Sequence, residues 1–357
     1  MKNLTPQFDF DDILIVPKIN TPITSRYKSI DLPKMLPLFT APMDTVVNLD
    51  NMDTFMDNKI NICLPRTITY EQFKNRVRNE NMQFYSNVFI SMGFDEIDRH
   101  HNENHFDIFH ENAHILIDVA NGHMFKVMDI AKEIKLHRPD IKIMVGNIAN
   151  PDTYYWYAMN GCVDYIRVGI GNGGGCLTTK QSGVGYPMAS LIHATRLVKN
   201  GYEYATGVKD APAIVADGGM KNYSDVVKAL ALGADYVMIG SIFNLALESA
   251  APNYIHGIKI GNKYAKMIFD NGRPVKKYFR GMSTKEAQKA MGKTVFKTSE
   301  GVTRYRKVEY HLNGWVENFE HYLRNAMSYS DADSLEKFIG KVEICQITKN
   351  AYDRFNK

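Results

Sequence analysis

From residue 38 to about residue 250, short apolar runs alternate with longer stretches whose apolar residues recur at helical spacing, and no linker rich in Pro, Gly or Ser interrupts them. Eight runs read as strands: residues 38–40, 60–63, 88–91, 115–118, 141–146, 165–168, 213–217 and 236–239. Each is apolar on both faces, the pattern of a parallel sheet covered on both sides. The plainest helix covers residues 124–136, where Phe125, Val127, Met128, Ile130, Ala131 and Ile134 recur at helical spacing. Eight strand–helix repeats predict an α/β fold of the (β/α)8 TIM-barrel type, with an open doubly wound sheet as the rival. Residues 251–311 read as a hairpin leading into an irregular polar stretch, a mobile flap over the barrel mouth, and residues 312–357 as a helix near 315–328 and a tail. Residues 1–357 are thus expected to form a single catalytic domain.

Composition narrows the function classes. The chain has 357 residues, 45% hydrophobic and 23% charged, as in an ordinary soluble globular protein. Its net charge of +4 is the small difference between 43 basic and 39 acidic residues, with no run of like charge, so nucleic acid is not an expected partner. No apolar segment is long enough to cross a bilayer, and the start lacks the pattern of a signal peptide, so a cytoplasmic setting is expected. Cys63, Cys162, Cys176 and Cys345 lack the spacing of a zinc site or a disulfide framework.

In a barrel, chemistry gathers at the C-terminal ends of the strands. There the sequence places Asp44, Arg66, Asp118, Asn121, Asn147, Cys176, Asp217, Gly218, Gly219, Gly240 and Ser241. The richest stretch is residues 169–185, GIGNGGGCLTTKQSGVG, directly after the sixth strand. Its glycines let backbone N–H groups approach an anion or substrate closely. A thiol among glycines at the active face, beside Thr178 and Thr179, is a better nucleophile candidate than Cys63 or Cys162, whose apolar contexts read as packing; Cys345 also reads as packing.

This loop resembles the catalytic loop of the GMP reductase and IMP dehydrogenase family, GIGPGSxCTTR followed by TGVGxPQ. Further matches run in family order: FDDILIVPK near the start, APMDTV at 41–46, IDVANGH at 117–123, VGN at 145–147, ADGG at 216–219, MIGS at 238–241 and RGMS at 280–283. The form of IDVANG, the short interval from Gly281 to the SEG at 299–301, the Glu248 and Ser249 pair and the lack of room for a regulatory domain between Arg66 and Asn87 all resemble the reductase branch. The resemblance implies reductive deamination of GMP to IMP and ammonia, with NADPH as cofactor and NADH left open, through a cysteine thioimidate at purine C2. The alternatives are an IMP dehydrogenase converting IMP to XMP with NAD, or a reductase of a deoxy or modified purine nucleotide.

The resemblance assigns roles by position. Cys176 is the nucleophile, Thr178 helps move a proton at C2, and Glu300 serves the leaving amine. Met43, Asp217, Gly218, Gly219, Gly240, Ser241, Met282, Ser283, Ser299 and Gly301 would hold the nucleotide. Arg66, Asp118, Ala120, Asn121, Gly169 and Gly171 would form the cofactor side. A potassium-like cation at Gly171, Gly173 and Cys176 and a homotetramer are further implications; no other metal is expected. Asp11 and Asp12 read as structural.

Several positions depart from the family pattern. Gly174 stands where the family places a phosphate-binding serine, Asn172 replaces the loop proline, Leu177 the first threonine after the cysteine, and Thr179 the arginine of the loop. Lys297, Val302, Arg66 and Arg280 depart from the reductase residues as well. A buried hydroxyl contact to an anion contributes about 1.5–3 kcal/mol, so the missing serine calls for a substitute. Arg304 and Tyr305 imitate the dehydrogenase Arg–Tyr base but follow the EG element instead of preceding it. Together with Arg306 and Lys307 they read as a solvated lid strand.

Overall fold

The eight apolar runs form eight parallel strands: β1 (Leu38–Thr40), β2 (Ile62–Leu64), β3 (Val88–Met92), β4 (His114–Asp118), β5 (Lys142–Ile148), β6 (Tyr165–Val168), β7 (Ala213–Asp217) and β8 (Tyr236–Ile239). The structure is a computed structural model that describes residues 5–78, 85–104, 106–107, 109–111, 113–292 and 301–355. Around the sheet the order is β1, β8, β7, β6, β5, β4, β3, β2. A parallel bridge between Phe39 and Asn61 joins the last strand to the first, with the Thr40 amide on the Asn61 carbonyl at 2.9 Å. The result is a (β/α)8 barrel, and the doubly wound alternative falls because an open sheet would leave these two edges apart.

Side chains alternate along each strand, and the alternation separates two cores. Phe39, Cys63, Phe89, Leu116, Met144, Val215 and Met238 point inward and fill the barrel, while their neighbours face the surrounding helices. The N-terminal half is plugged by rings: Phe39 lies 5.5 Å from Phe89 and 5.1 Å from Tyr236, and Phe89 lies 5.2 Å from Tyr165. Toward the C-terminal ends of the strands Asp118, Arg167 and Asp217 take inward positions, so charged groups stand over an apolar floor.

Helix Phe125–His137 buries Val127, Met128, Ala131 and Ile134, whereas Phe125 is exposed and meets Trp156 edge-on. Helix Leu312–Tyr329 packs Trp315, Phe319, Leu323 and Met327 inward, with Trp315 stacked on Tyr223 at 5.2 Å. The N-terminal lead-in forms a short strand, Ile13–Ile15, paired antiparallel with Ile344–Gln346. Within it Asp12 completes a capping box with Asp9, and Asp11 pairs with Lys221. Cys345 sits on that pairing and is exposed, which corrects its reading as a packing residue; Cys63 and Cys162 are buried.

After residue 250 the chain is more regular than its polar sequence suggests. Strands β9 (Asn253–Ile255), β10 (Ile258–Ile260), β11 (Lys276–Arg280) and β12 (Thr303–Lys307) form an antiparallel sheet in the order β10, β9, β11, β12. Helix Asn262–Asp270 connects β10 to β11. Among the described residues no helix is long and apolar enough to cross a membrane.

Candidate active site

Two glycines of the loop after β6 stand where a larger residue would collide with the neighbouring chain. At Gly169, with φ +129°, a Cβ would lie 2.1 Å from the Asp217 carbonyl oxygen, and at Gly171, with φ +80°, 1.7 Å from the Thr179 hydroxyl. Both conditions reserve these positions for glycine. The loop therefore lies directly across the ends of β6 and β7, and Gly218 faces the Gly173 backbone at similarly close range.

This path delivers Cys176 to the mouth. It is partly buried, its amide donates to the Gly173 carbonyl at 2.9 Å, and its Sγ–H donates to the Thr178 hydroxyl at 3.2 Å. The end of the flap sheet docks beside it. Cys176 forms an antiparallel bridge with Gly301, the Val302 amide donates to the Gly175 carbonyl at 3.1 Å, and the Gly281 amide donates to the Val302 carbonyl at 3.0 Å. Gly301 in turn abuts Ser283 and Thr284. The cysteine loop, the Gly281–Met282–Ser283 turn and Gly301 thus converge. Glu300 and Ser299 lie outside the described residues, as does Lys297.

Below the loop, three inward positions form a charged layer. Arg167 donates from Nη1 to the Asp118 carboxylate at 2.7 Å and from Nε to the Asp217 carboxylate at 3.0 Å. Asn147 adds Nδ2 donations to Asp217 at 2.8 Å and to the Gly169 carbonyl at 2.6 Å. Burial opposes the Arg167 charge, but the two carboxylates outweigh it and keep the guanidinium protonated. The sequence reading missed Arg167 as a site residue. Its signal was available: a lone charge in the apolar run YIRV, at an inward position two residues after Tyr165.

The remaining candidates fall into two groups. Gly240 lies against Met43 Sδ, Ser241 follows it at the end of β8, and Gly219 packs near Met188, which gathers the candidates for the substrate side around the β7 and β8 ends. On the other side Arg66 lies across Gly93 and donates to the Asp118 carbonyl at 3.4 Å, while Ala120 and Asn121 are exposed on the β4 loop. Arg280 pairs with Asp44, tying the flap sheet to the β1 loop. Among the described residues no cluster of three His, Cys, Asp or Glu side chains is placed to hold a metal ion.

Cys63 and Cys162 are buried, whereas Cys176 is only partly so. Burial pushes the Cys63 thiol far up, with Arg167 only partly opposing it, and burial likewise raises Cys162, whose Sγ contacts Met128 Sδ. A thiol that resists ionisation is a poor nucleophile.

The lid strand is exposed at four of its five positions, as its solvated reading expects, and two of its arginines also reach the loop ends. Arg304 is exposed, yet its Nη2 donates to the Gly174 carbonyl at 3.2 Å, and Arg306 is partly buried with Nη1 donating to the Ser241 carbonyl at 2.5 Å. Tyr305, on the opposite face of β12, packs at 5.0 Å from Tyr254 and 5.6 Å from Tyr278.

The family model described as IMP dehydrogenase / GMP reductase domain matches residues 7–354. Similar proteins include GMP reductase of Caenorhabditis elegans, 25% identical over 98% of this chain and 94% of the relative, and GMP reductase of Onchocerca volvulus, 26% identical over 98% and 93%. GMP reductase 2 of Bos taurus is 28% identical over 87% of this chain and 85% of its own. With a barrel whose cysteine loop and flap meet at one mouth, and a family match across almost its whole length, the chain belongs to the IMP dehydrogenase / GMP reductase family.

Proposed function

We propose that the protein is a nicotinamide-dependent reductase that converts GMP to IMP and ammonia. The observation that carries this reading is the pairing of Cys176 with Gly301: it brings the nucleophile's loop against the flap at the residue next in sequence to Glu300. Similarity to several proteins named GMP reductase supports the same branch.

The chemistry follows from the residues. The Cys176 sulfur adds to C2 of the purine, passing its proton toward the Thr178 hydroxyl that already accepts it at 3.2 Å. The C2 amino group leaves as ammonia, which requires a proton at nitrogen; Glu300 is the group proposed to supply it. Loss of the amine leaves a thioimidate on Cys176. When bound, the reduced nicotinamide cofactor supplies the hydride for C2. Expulsion of the thiolate then yields IMP and regenerates the enzyme.

The residues present fit such a cofactor. Exposed Ala120 and Asn121 offer a small, uncharged surface for a flat ring, and Arg66 beside Asp118 offers a cation. Asp217, fixed by Arg167 and Asn147, presents a carboxylate suited to ribose hydroxyls. Gly218, Gly219, Gly240 and Ser241 offer backbone donors to the phosphate. The packing of Tyr305 among Tyr254 and Tyr278 favours the reductase over a dehydrogenase using an Arg304–Tyr305 base.

The test mixes the protein with GMP or dGMP and NADPH or NADH, and follows loss of reduced-nicotinamide absorbance together with ammonia. The reading expects both signals in equal amounts. No turnover of either nucleotide, with reduction of NAD by IMP, would overturn it.

A further inference from the structure

We propose that Arg304 and Arg306 form a phosphate-binding arm that grips the 5′-phosphate of the nucleotide between Gly174 and Ser241; this rests on the nucleotide-reductase reading above. The two side chains are two apart on β12 and share one face, the face that carries Phe279 in the partner strand β11. Their guanidinium carbons lie 5.1 Å and 5.7 Å from the centroid of the Phe279 ring, which is buried and serves as a common platform.

That platform stands at the phosphate end of the site. A Cβ placed on Gly174 would be 3.4 Å from Arg304 Nη2 and 3.8 Å from the Ser241 hydroxyl. The Arg304 guanidinium therefore stands beside the position where the family serine would carry its hydroxyl. Arg306 reaches the neighbouring rim through the Ser241 carbonyl.

The charge is unbalanced in a way a phosphate would correct. Among the described residues neither arginine forms an ion pair with a carboxylate. Burial and the nearby Arg304 charge both lower the proton affinity of Arg306, so the two cations repel each other across a partly dry rim. A phosphate dianion between them removes the repulsion and offers several oxygens to two planar forks. Only one N–H of each guanidinium is used by the carbonyls described, so further donors remain for an anion.

The experiment compares equilibrium binding of GMP and guanosine, by calorimetry, to the wild-type protein and to Arg304→Gln and Arg306→Gln. The wild type is expected to prefer GMP, and each variant to lose about tenfold or more of that preference while binding guanosine unchanged. Arg304→Lys and Arg306→Lys, which keep the charge and give up the fork, carry the same test with a smaller loss expected should a glutamine variant not fold. An unchanged preference, or equal weakening of GMP and guanosine, overturns the arm and assigns the arginines a structural role only. Failure of the wild type to bind any of GMP, dGMP or IMP is a different result, and it overturns the reductase reading together with the arm.

Discussion

Lys277 offers a test of how the flap sheet is anchored. Its side chain is fully buried in β11, with Nζ donating to the Ser249 carbonyl at 2.6 Å and the Ala251 carbonyl at 3.2 Å. These bonds tie an inner strand of the flap sheet to the chain leaving β8. Burial pulls its pKa from 10.5 down to about 7, with the Glu248 carboxylate only partly opposing the shift. Between these values the unfolded lysine holds its proton while the folded one releases it, so the unfolded chain binds more protons and stability rises with pH. The burial cost works out at about 4 kcal/mol at pH 7 and about 2 kcal/mol at pH 9, vanishing well above the unfolded value. Lys277→Met removes this titration, while the lost carbonyl contacts weigh on both pH values. Urea denaturation of both proteins at pH 7 and pH 9 should show the stability difference moving toward the wild type by about 2 kcal/mol at the higher pH. Parallel pH profiles would refute the reasoning, because the folded lysine would then titrate as the unfolded one does.

Two other perturbations read different parts of the molecule. Arg167→Met leaves Asp118 and Asp217 facing each other without their cation and should cost about 3–5 kcal/mol in urea denaturation; a loss below about 1 kcal/mol would place the cluster with exposed pairs. Burial lowers the His311 pKa, but Glu248 and Asp270 outweigh it and raise it above 6.5, so the stabilisation is full below the unfolded value and fades as pH rises through the folded one. His311→Asn should therefore lose more stability at pH 6 than at pH 9, and equal losses would contradict the ion pairs.

The barrel was legible because its strands are buried on both faces. Four of the eight strands begin and end where their apolar runs do: 38–40, 165–168, 213–217 and 236–239. The second begins later than its run because Ile60 still belongs to the turn, its amide bonded to the Phe55 carbonyl, and Asn61 spends its side chain on the Leu36 and Leu38 carbonyls. The flap was harder to read. The strand KKYFR alternates buried positions with exposed or half-buried ones, yet buries a lysine among carbonyls, so polarity conceals an inward face. The pairing of Ile13–Ile15 with Ile344–Gln346 joins the two ends of the chain, a contact that no local pattern announces.

The site divides the same way. The position of Cys176 at the barrel mouth could be read from its glycines, because a loop that must approach other backbone closely writes that need into its composition. Arg167 could have been read from the inward period of its strand. The contacts of Arg304 and Arg306 could not, since the groups they meet, Gly174, Ser241 and Phe279, are all distant in sequence.

The central claim is that Cys176 forms the bond through which the amine is exchanged for hydride. Its most direct test is the ammonia released from GMP in the presence of NADPH, by the wild type and by Cys176→Ala, with folding of the variant checked by urea denaturation. The claim predicts one ammonia and one IMP for each cofactor oxidised by the wild type, and no ammonia from the variant. A folded Cys176→Ala protein that releases ammonia at the wild-type rate would contradict it.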